Sequence, residues 1–320
     1  MYRVIMVPVD GSAFSREAVF QGLRLARKNG AQLRLVRVAS IPGLVGGPDM
    51  VSLEQTARMS ERDAMLAQLY RLAAECRANS PVDVTATVED GPVADALRGH
   101  ALRHEVDLVV MATHARRGMA RVWLGSVADR LIRETGLPVL IVRPPSLATE
   151  LVDGACYKRI VVPLDGSLLA EHSLPSALAL AELEHAELTL LRIVPSEKSI
   201  PSGELHAAIG PARAQDVDEA ERYLAGVRVR LADHPVRIRA AVVVAEDVPR
   251  AILGFAQATD GDLIAIATHG RGGFARAVLG SVADRVMSDG VLSALVIHPA
   301  EQLQAAFVPE ARTAGVAVLG

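Results

Sequence analysis

Short apolar runs alternate with longer segments of helical period along the chain. The first run, Arg3–Val9, ends in Asp10-Gly11-Ser12 and reads as a strand entering a tight turn with capping groups. A helix then continues to about Asn29, stopped by Gly30 at the usual C-terminal position. Gln32–Val38 predicts a second strand, Ile41–Pro48 a Pro/Gly-rich loop, and Ser52–Ala78 a long helix. Asp83–Val88 reads as the third strand and Asp107–Ala112 as the fourth, with a helix over Val93–His104 between them that lines up Val93, Ala96 and Leu97 on one face. After a long loop, Ser126–Glu134 predicts a helix and Leu137–Val142 a fifth strand, closed by Pro144-Pro145.

The same order then recurs. Strands are expected at Arg159–Leu164, Glu187–Val194, Arg237–Val244, Asp262–Ala267 and Leu292–His298. Helices are expected at Ser167–Glu184, Gln215–Ala232, Val248–Ala258 and Ser281–Ser288, with a loop around Pro195–Pro201. An offset of 155 residues carries Asp10-Gly11-Ser12 onto Asp165-Gly166-Ser167, Asp107 onto Asp262 and Val93 onto Val248. It also superimposes Leu124–Arg130 on Leu279–Arg285, where Leu-Gly-Ser-Val-Ala-Asp-Arg is identical. One register held from first strand to last reads as duplication without net insertion. The expected domains are residues 1–144 and 156–299, with a linker at 145–155 and a tail at 300–320 that has no clear period.

Strands joined by helical crossovers must wind right-handed, which puts helices on both faces of a parallel sheet. The expected fold is therefore α/β: two repeats of an open five-stranded parallel sheet, Rossmann-like in class. Such sheets hold ligands beyond the carboxyl ends of the strands, at the topological switch point. Here those ends carry Asp10 and Ala112-Thr113-His114.

Composition agrees with a buried parallel sheet: half the residues are hydrophobic and only 3% aromatic, so the core is Val, Leu, Ile and Ala. A net charge of −3 gives no signal for nucleic acid or membrane. Residues 1–143 hold 19 basic against 15 acidic side chains and residues 156–299 hold 14 against 18, a weak bias toward docking of the two repeats on each other. Cys76 and Cys156 form neither a disulfide framework nor a metal spacing. The apolar run at the amino end is short and interrupted by Pro8 and Asp10, unlike a leader, and no stretch approaches the roughly 18 apolar residues of a membrane span. The expectation is a soluble, cytoplasmic protein.

Chemistry concentrates in two loops. Ala267-Thr268-His269-Gly270 is followed after nine residues by Gly280-Ser281-Val282-Ala283-Asp284-Arg285. Ala112-Thr113-His114-Ala115 is followed after nine by Gly125-Ser126-Val127-Ala128-Asp129-Arg130. A strand, a small-residue turn, a glycine-bearing loop and a helix start present backbone N–H groups to a phosphate.

These residues resemble the universal stress protein domain: a strand ending Pro-x-Asp-Gly-Ser, a later Thr-His-Gly, nine residues, then Gly-Ser. The resemblance covers both repeats. It implies a fold like that of the adenine nucleotide alpha hydrolases, pairing of two domains through the last strand (available within one chain here, with room for a homodimer), and bound ATP, with magnesium, in a regulatory stress-response protein. By the same resemblance Asp10 and Asp165 contact the ribose or the nucleotide-bound metal, and Val38 and Ile193 pack on the adenine. His269, Gly270, Gly280, Ser281 and Val282, with Gly125, Ser126 and Val127 in the first repeat, lie along the phosphates. The ATP-binding pattern has glycine where Ala112 and Ala267 stand, and again at Ala115, while Gly270 is intact. Alanine tolerates the first position if φ there is negative; at Ala115 its Cβ obstructs close approach. The second repeat is accordingly the better nucleotide site.

Plainer roles stand beside these. Asp10 and Asp165 suit capping of the first helix as well as ligand contact, and Ser126 and Ser281 suit N-caps. His114 and His269 lack an evident acid–base partner and suit turn-stabilising hydrogen bonds. Asp129-Arg130 and Asp284-Arg285 suit solvated or inter-helix ion pairs, and the loop arginines, Arg116, Arg117, Arg121, Arg271 and Arg276, suit either solvent or phosphate. No Gly-rich loop ending Gly-Lys-Ser/Thr occurs and no catalytic residue stands out. An interaction scaffold without nucleotide and a slow ATPase remain as alternatives to the nucleotide-binding regulator.

Overall fold

The structure, a computed structural model, describes residues 2–39, 48–112, 125–143, 157–196, 214–268, 280–290 and 292–298. The first repeat runs β1 (Val4–Pro8), α1 (Ala13–Asn29), β2 (Gln32–Ala39), α2 (Pro48–Asn79), β3 (Val84–Asp90), α3 (Val93–Arg103), β4 (Leu108–Ala112), α4 (Ser126–Thr135) and β5 (Val139–Val142). The second runs β6 (Arg159–Pro163), α5 (Leu168–Glu171), α6 (Leu174–Glu184), β7 (Glu187–Pro195), α7 (Ala214–Arg230), β8 (Ile238–Ala245), α8 (Val248–Ala258), β9 (Leu263–Ala267), α9 (Ser281–Asp289) and β10 (Ser293–Ile297). Among the described residues no helix is long and apolar enough to cross a membrane.

The two expected five-stranded sheets are one ten-stranded sheet of order β3-β2-β1-β4-β5-β10-β9-β6-β7-β8. Each half is parallel, and β5 meets β10 antiparallel with Leu140 opposite Leu295, Val139 opposite Val296 and Ile141 opposite Ala294. Leu140 and Leu295 are equivalents at the 155-residue offset, so a pseudo-two-fold axis passes between them. All four β5 residues and all five β10 residues are buried.

Further contacts cross that junction. Arg24 and Lys28 of α1 hold Glu184 of α6 at 2.7 and 3.0 Å, and the glutamate side chain is wholly buried. Tyr2 donates its hydroxyl to Ser176 O at 3.2 Å, and Arg143 N–H donates to Ser293 Oγ at 3.2 Å. The equivalents of Arg24, Lys28 and Glu184 are Ala179, Leu183 and Asn29, so this ion cluster exists on one side of the axis only.

At the amino ends of the strands, the repeated aspartates have a structural task. Asp107 Oδ2 accepts the N–H groups of Arg3 and Val4 at 2.7 and 2.9 Å. Asp262 accepts those of Lys158 and Arg159 at 2.6 and 3.1 Å. Each pins the first strand of its repeat to the fourth.

Three details depart from the expected elements. The helix expected over Ser167–Glu184 is broken at His172-Ser173, because Pro175 has no N–H and its ring excludes the carbonyl of Glu171. The buried Ser173 hydroxyl donates to Ala170 O at 2.8 Å in the gap. The repeat register also slips by one residue at the outer strand. Leu33 pairs with Val84, but its equivalent Leu188 pairs with Ile238, an offset of 154. The deletion lies before β8 and is compensated before Val248, and it keeps Val84 and Val88, like Ile238 and Val242, on the same core face. Finally, the ion pair joining the first helix to the long helix has its charges exchanged: Arg16 with Glu75 in one repeat, Glu171 with Arg230 in the other.

On the sheet face opposite α2, His100 is wholly buried, its Nδ1 2.7 Å from Glu89 Oε1, which also accepts from Arg103 at 2.6 Å. Burial pushes the His100 pKa below its ordinary value, against the opposing pull of Glu89. Burial raises Glu89, but hydrogen bonds from His100 and Arg103 outweigh it and hold the carboxyl low. The second repeat has Phe255 at the histidine position.

A depressed histidine pKa means that the unfolded chain takes up its proton first as pH falls. The stability tied to neutral His100 is present above the ordinary histidine range and lost as pH drops through it. His100→Phe is expected to flatten the decline in urea midpoint between about pH 7 and 5, read by circular dichroism; an unchanged pH slope contradicts this. Glu184→Ala strands two cations at the junction and is expected to cost about 3–5 kcal/mol of unfolding free energy, measured by the same denaturation.

Candidate functional site

In the first repeat β1 sends its crossover to one side and β4 to the other, so the chain parts between their carboxyl ends. A cleft of about 390 Å³ opens there. Pro8, Val9 and Asp10 line it from β1 and its turn, Val36, Arg37 and Val38 from β2, and Met111 and Ala112 from β4. Val127, Val93 and Leu97 supply an apolar wall from α4 and α3, and Glu61 and Met65 reach in from α2.

The turn after β1 is built alike in both repeats. Gly11 and Gly166 have φ of +85° and +84°, a conformation glycine adopts without strain. Asp10 Oδ1 accepts the Ser12 N–H at 2.8 Å. Asp165 Oδ1 accepts the Ser167 N–H at 2.9 Å and its hydroxyl at 2.6 Å. The N-cap itself is the serine: Ser12 Oγ accepts from Ser15 N–H and Ser167 Oγ from Ala170 N–H, each at 3.1 Å. The aspartates therefore shape the turn before the helix and leave capping to the serine two residues on.

Arg37 and Arg192, equivalent residues near the ends of β2 and β7, were not singled out in the sequence. The Arg37 guanidinium lies 3.4 Å from where a Cβ on Gly11 would stand and donates to Gln68 Oε1 at 2.8 Å. Arg192 donates to Leu164 O at 3.2 Å. Their shared offset, one residue before Val38 and Ile193, is the signal that could have found them.

The helices after the long loops begin differently from the capping expected of Ser126 and Ser281. Those serines are the first helical residues, and the N-cap positions belong to Gly125 and Gly280, neither helix having a side-chain cap. Glycine has no side chain to return to the first amides, so among the described residues no side chain caps those N–H groups. Gly125 has φ +74°, whereas Gly280 has φ −52° and ψ 142°, a conformation open to any residue. Gly280 N–H donates to Thr268 O at 2.7 Å, and the Thr268 hydroxyl is 2.7 Å from His298 Nδ1, tying the start of α9 to the ends of β9 and β10.

Ala112 and Ala267 are the last residues of β4 and β9, and neither is among the positive-φ residues. Alanine is accommodated there without strain. Val38 and Val127 are half-buried on the cleft, while Ile193 is only 7% exposed and belongs to the buried core. Val282 is the partly buried equivalent of Val127. Thr113, His114, Ala115, His269, Gly270 and the loop arginines lie outside the described residues. The next helical residues do form inter-helix ion pairs: Arg130 with Asp95 at 2.7 Å and Arg285 with Asp247 at 2.8 Å. Among the described residues no three His, Cys, Asp or Glu side chains converge as a metal site.

Comparison with known proteins agrees with this architecture. The sequence profile of the Universal stress protein family matches residues 1–143 and again 156–298. A universal stress protein of Mycolicibacterium smegmatis is 26% identical over 303 residues, 92% of this chain and 97% of that protein. One from Methanocaldococcus jannaschii is 29% identical over 147 residues, 45% of this chain and 84% of its own length. The crystal structure of a universal stress protein from Archaeoglobus fulgidus superposes with a TM-score of 0.68 over 92% of this chain and 98% of its own, at 15% identity, a likeness of fold. Two matches to one family profile, end to end along a duplicated α/β sheet, place this chain in the universal stress protein family as a tandem member.

Proposed function

We propose that the chain is an adenine-nucleotide-binding regulator of the stress response, holding ATP with magnesium beyond the carboxyl ends of β1 and β4 and of β6 and β9. The reading rests chiefly on one observation: α4 and α9 both begin at a glycine without a side-chain cap, beside the switch point of a parallel sheet. Helix-start amides without a side-chain cap and the positive end of the helix dipole favour an anion there. In the first repeat the apolar wall of Val38, Val127 and Leu97 suits a purine, and Asp10 stands where a ribose hydroxyl or a phosphate-bound cation would lie. Magnesium would be carried mainly by the phosphates, with Asp10 or Asp165 adding one carboxylate.

The second repeat, which retains Gly270 in its loop, remains the stronger candidate of the two. Against it, Ile193 is committed to the core more fully than Val38, which favours a second reading, a scaffold whose second site is closed.

Ligand-stripped protein is expected to give a calorimetric binding signal with ATP, and native mass spectrometry is expected to report the number of nucleotides per chain. Absence of binding to ATP, ADP and cyclic AMP leaves the scaffold reading. Asp165→Asn separates turn-building from ligand contact, because the amide oxygen still accepts the Ser167 N–H. Its stability is expected to change by less than about 0.5 kcal/mol. Affinity for magnesium ATP in the second repeat should fall about tenfold, near 1.4 kcal/mol.

A further inference from the structure

The two outer edges of the ten-stranded sheet are finished differently. In β3 the even-numbered residues turn their backbone groups away from the sheet, since Leu33 N–H bonds Asp83 O and Gly91 N–H bonds Ala39 O. Two of those outward carbonyls are covered by arginines of α2: Arg77 donates to Val84 O at 3.1 Å and Arg62 to Val88 O at 3.0 Å. In β8, Leu188 N–H bonds Arg237 O and Ser196 N–H bonds Ala245 O, which turns the backbone groups of Ile238, Ala240, Val242 and Val244 outward. At the 155-residue offset the two arginines are replaced by Val217 and Ala232. Among the described residues nothing bonds the outward groups of β8. No β8 residue is fully buried, Val244 is 46% exposed, and no bulge interrupts the register with β7. A long, regular, apolar edge of this kind is a template for another strand.

We propose that this edge is an interface for a second copy of the chain, the two β8 strands pairing antiparallel about a two-fold axis. Charge selects the occupant and its direction. Arg237 and Arg239 stand at the start of β8 and share the single carboxylate of Glu187, which leaves that end cationic. Glu246 and Asp247 stand just beyond its other end, where Asp247 also pairs with Arg285. Antiparallel pairing of two copies brings the basic end of each to the acidic end of the other, whereas parallel pairing sets like against like. The middle, Ala240–Val244, is uncharged, β-branched in three of its five residues, and complementary to itself. The chain already uses the same geometry internally, where β5 and β10 meet edge to edge in antiparallel register.

Sedimentation equilibrium of the full chain is expected to show a species of about 68 kDa, twice the chain mass of 33.9 kDa, that grows with concentration. Ala240→Pro removes an outward N–H without removing a bond to β7, and Val217→Arg with Ala232→Arg restores the arginine covers found on β3. Both are expected to weaken association at least about tenfold with unchanged circular dichroism; where the proline disturbs the fold, the double-arginine chain decides. A wild-type chain that stays monomeric at its highest soluble concentration, or a dimer indifferent to the double-arginine substitution, overturns the proposal.

Discussion

Everything in this molecule hangs on the antiparallel pairing of β5 with β10. Either strand alone would be an exposed edge, apolar at every residue but Ser293. By meeting across a pseudo-two-fold axis they bury each other, and two half-sheets become one continuous layer. Such a layer cannot shear at the junction without breaking backbone hydrogen bonds in a dry interior, where each unsatisfied group costs about 1–3 kcal/mol. The Arg24–Lys28–Glu184 cluster adds a lock of different character, since it resists separation on one side of the axis alone.

The rigidity of that layer is what gives the switch points their value. The strand ends of β1 and β4 are fixed by the sheet, and the pins at Asp107 and Asp262 hold the first and fourth strands in register at the opposite end. A ligand cleft then needs only short additions: a glycine–serine turn, a glycine before a helix, and an apolar wall. The first two lie outside the strands and helices, where change costs the core least, while the wall comes from α3 and α4.

Much of this was legible in the chain itself. Repetition of Leu-Gly-Ser-Val-Ala-Asp-Arg exposes the duplication, and the apolar runs locate ten strands within one or two residues. What stayed hidden were effects that periodicity does not encode. Pro175 announces a helix break, but an apolar period running across it masks the signal. The one-residue slip at β8 is invisible to a register anchored on Asp165 and Asp284, because the gap before the strand is cancelled by the gap after it. At the site, serine beside glycine suggests an N-cap, yet the cap falls one residue earlier, on the glycine, at α4 and α9, and two residues after the aspartate, on Ser12, at α1. That choice depends on backbone angles, which residue identity constrains only weakly outside glycine and proline.

The exchanged ion pair has a meaning that its energy conceals. Arg16 with Glu75 and Glu171 with Arg230 are surface contacts worth at most about 1 kcal/mol each. But a duplicated chain carries two nearly interchangeable sets of parts, and during folding the first helix of one half can meet the long helix of the other. In that mispairing Arg16 would face Arg230, and Glu171 would face Glu75. Like charges would reject the hybrid while the correct partners attract, so the inversion acts as a key that tells each half which helix is its own.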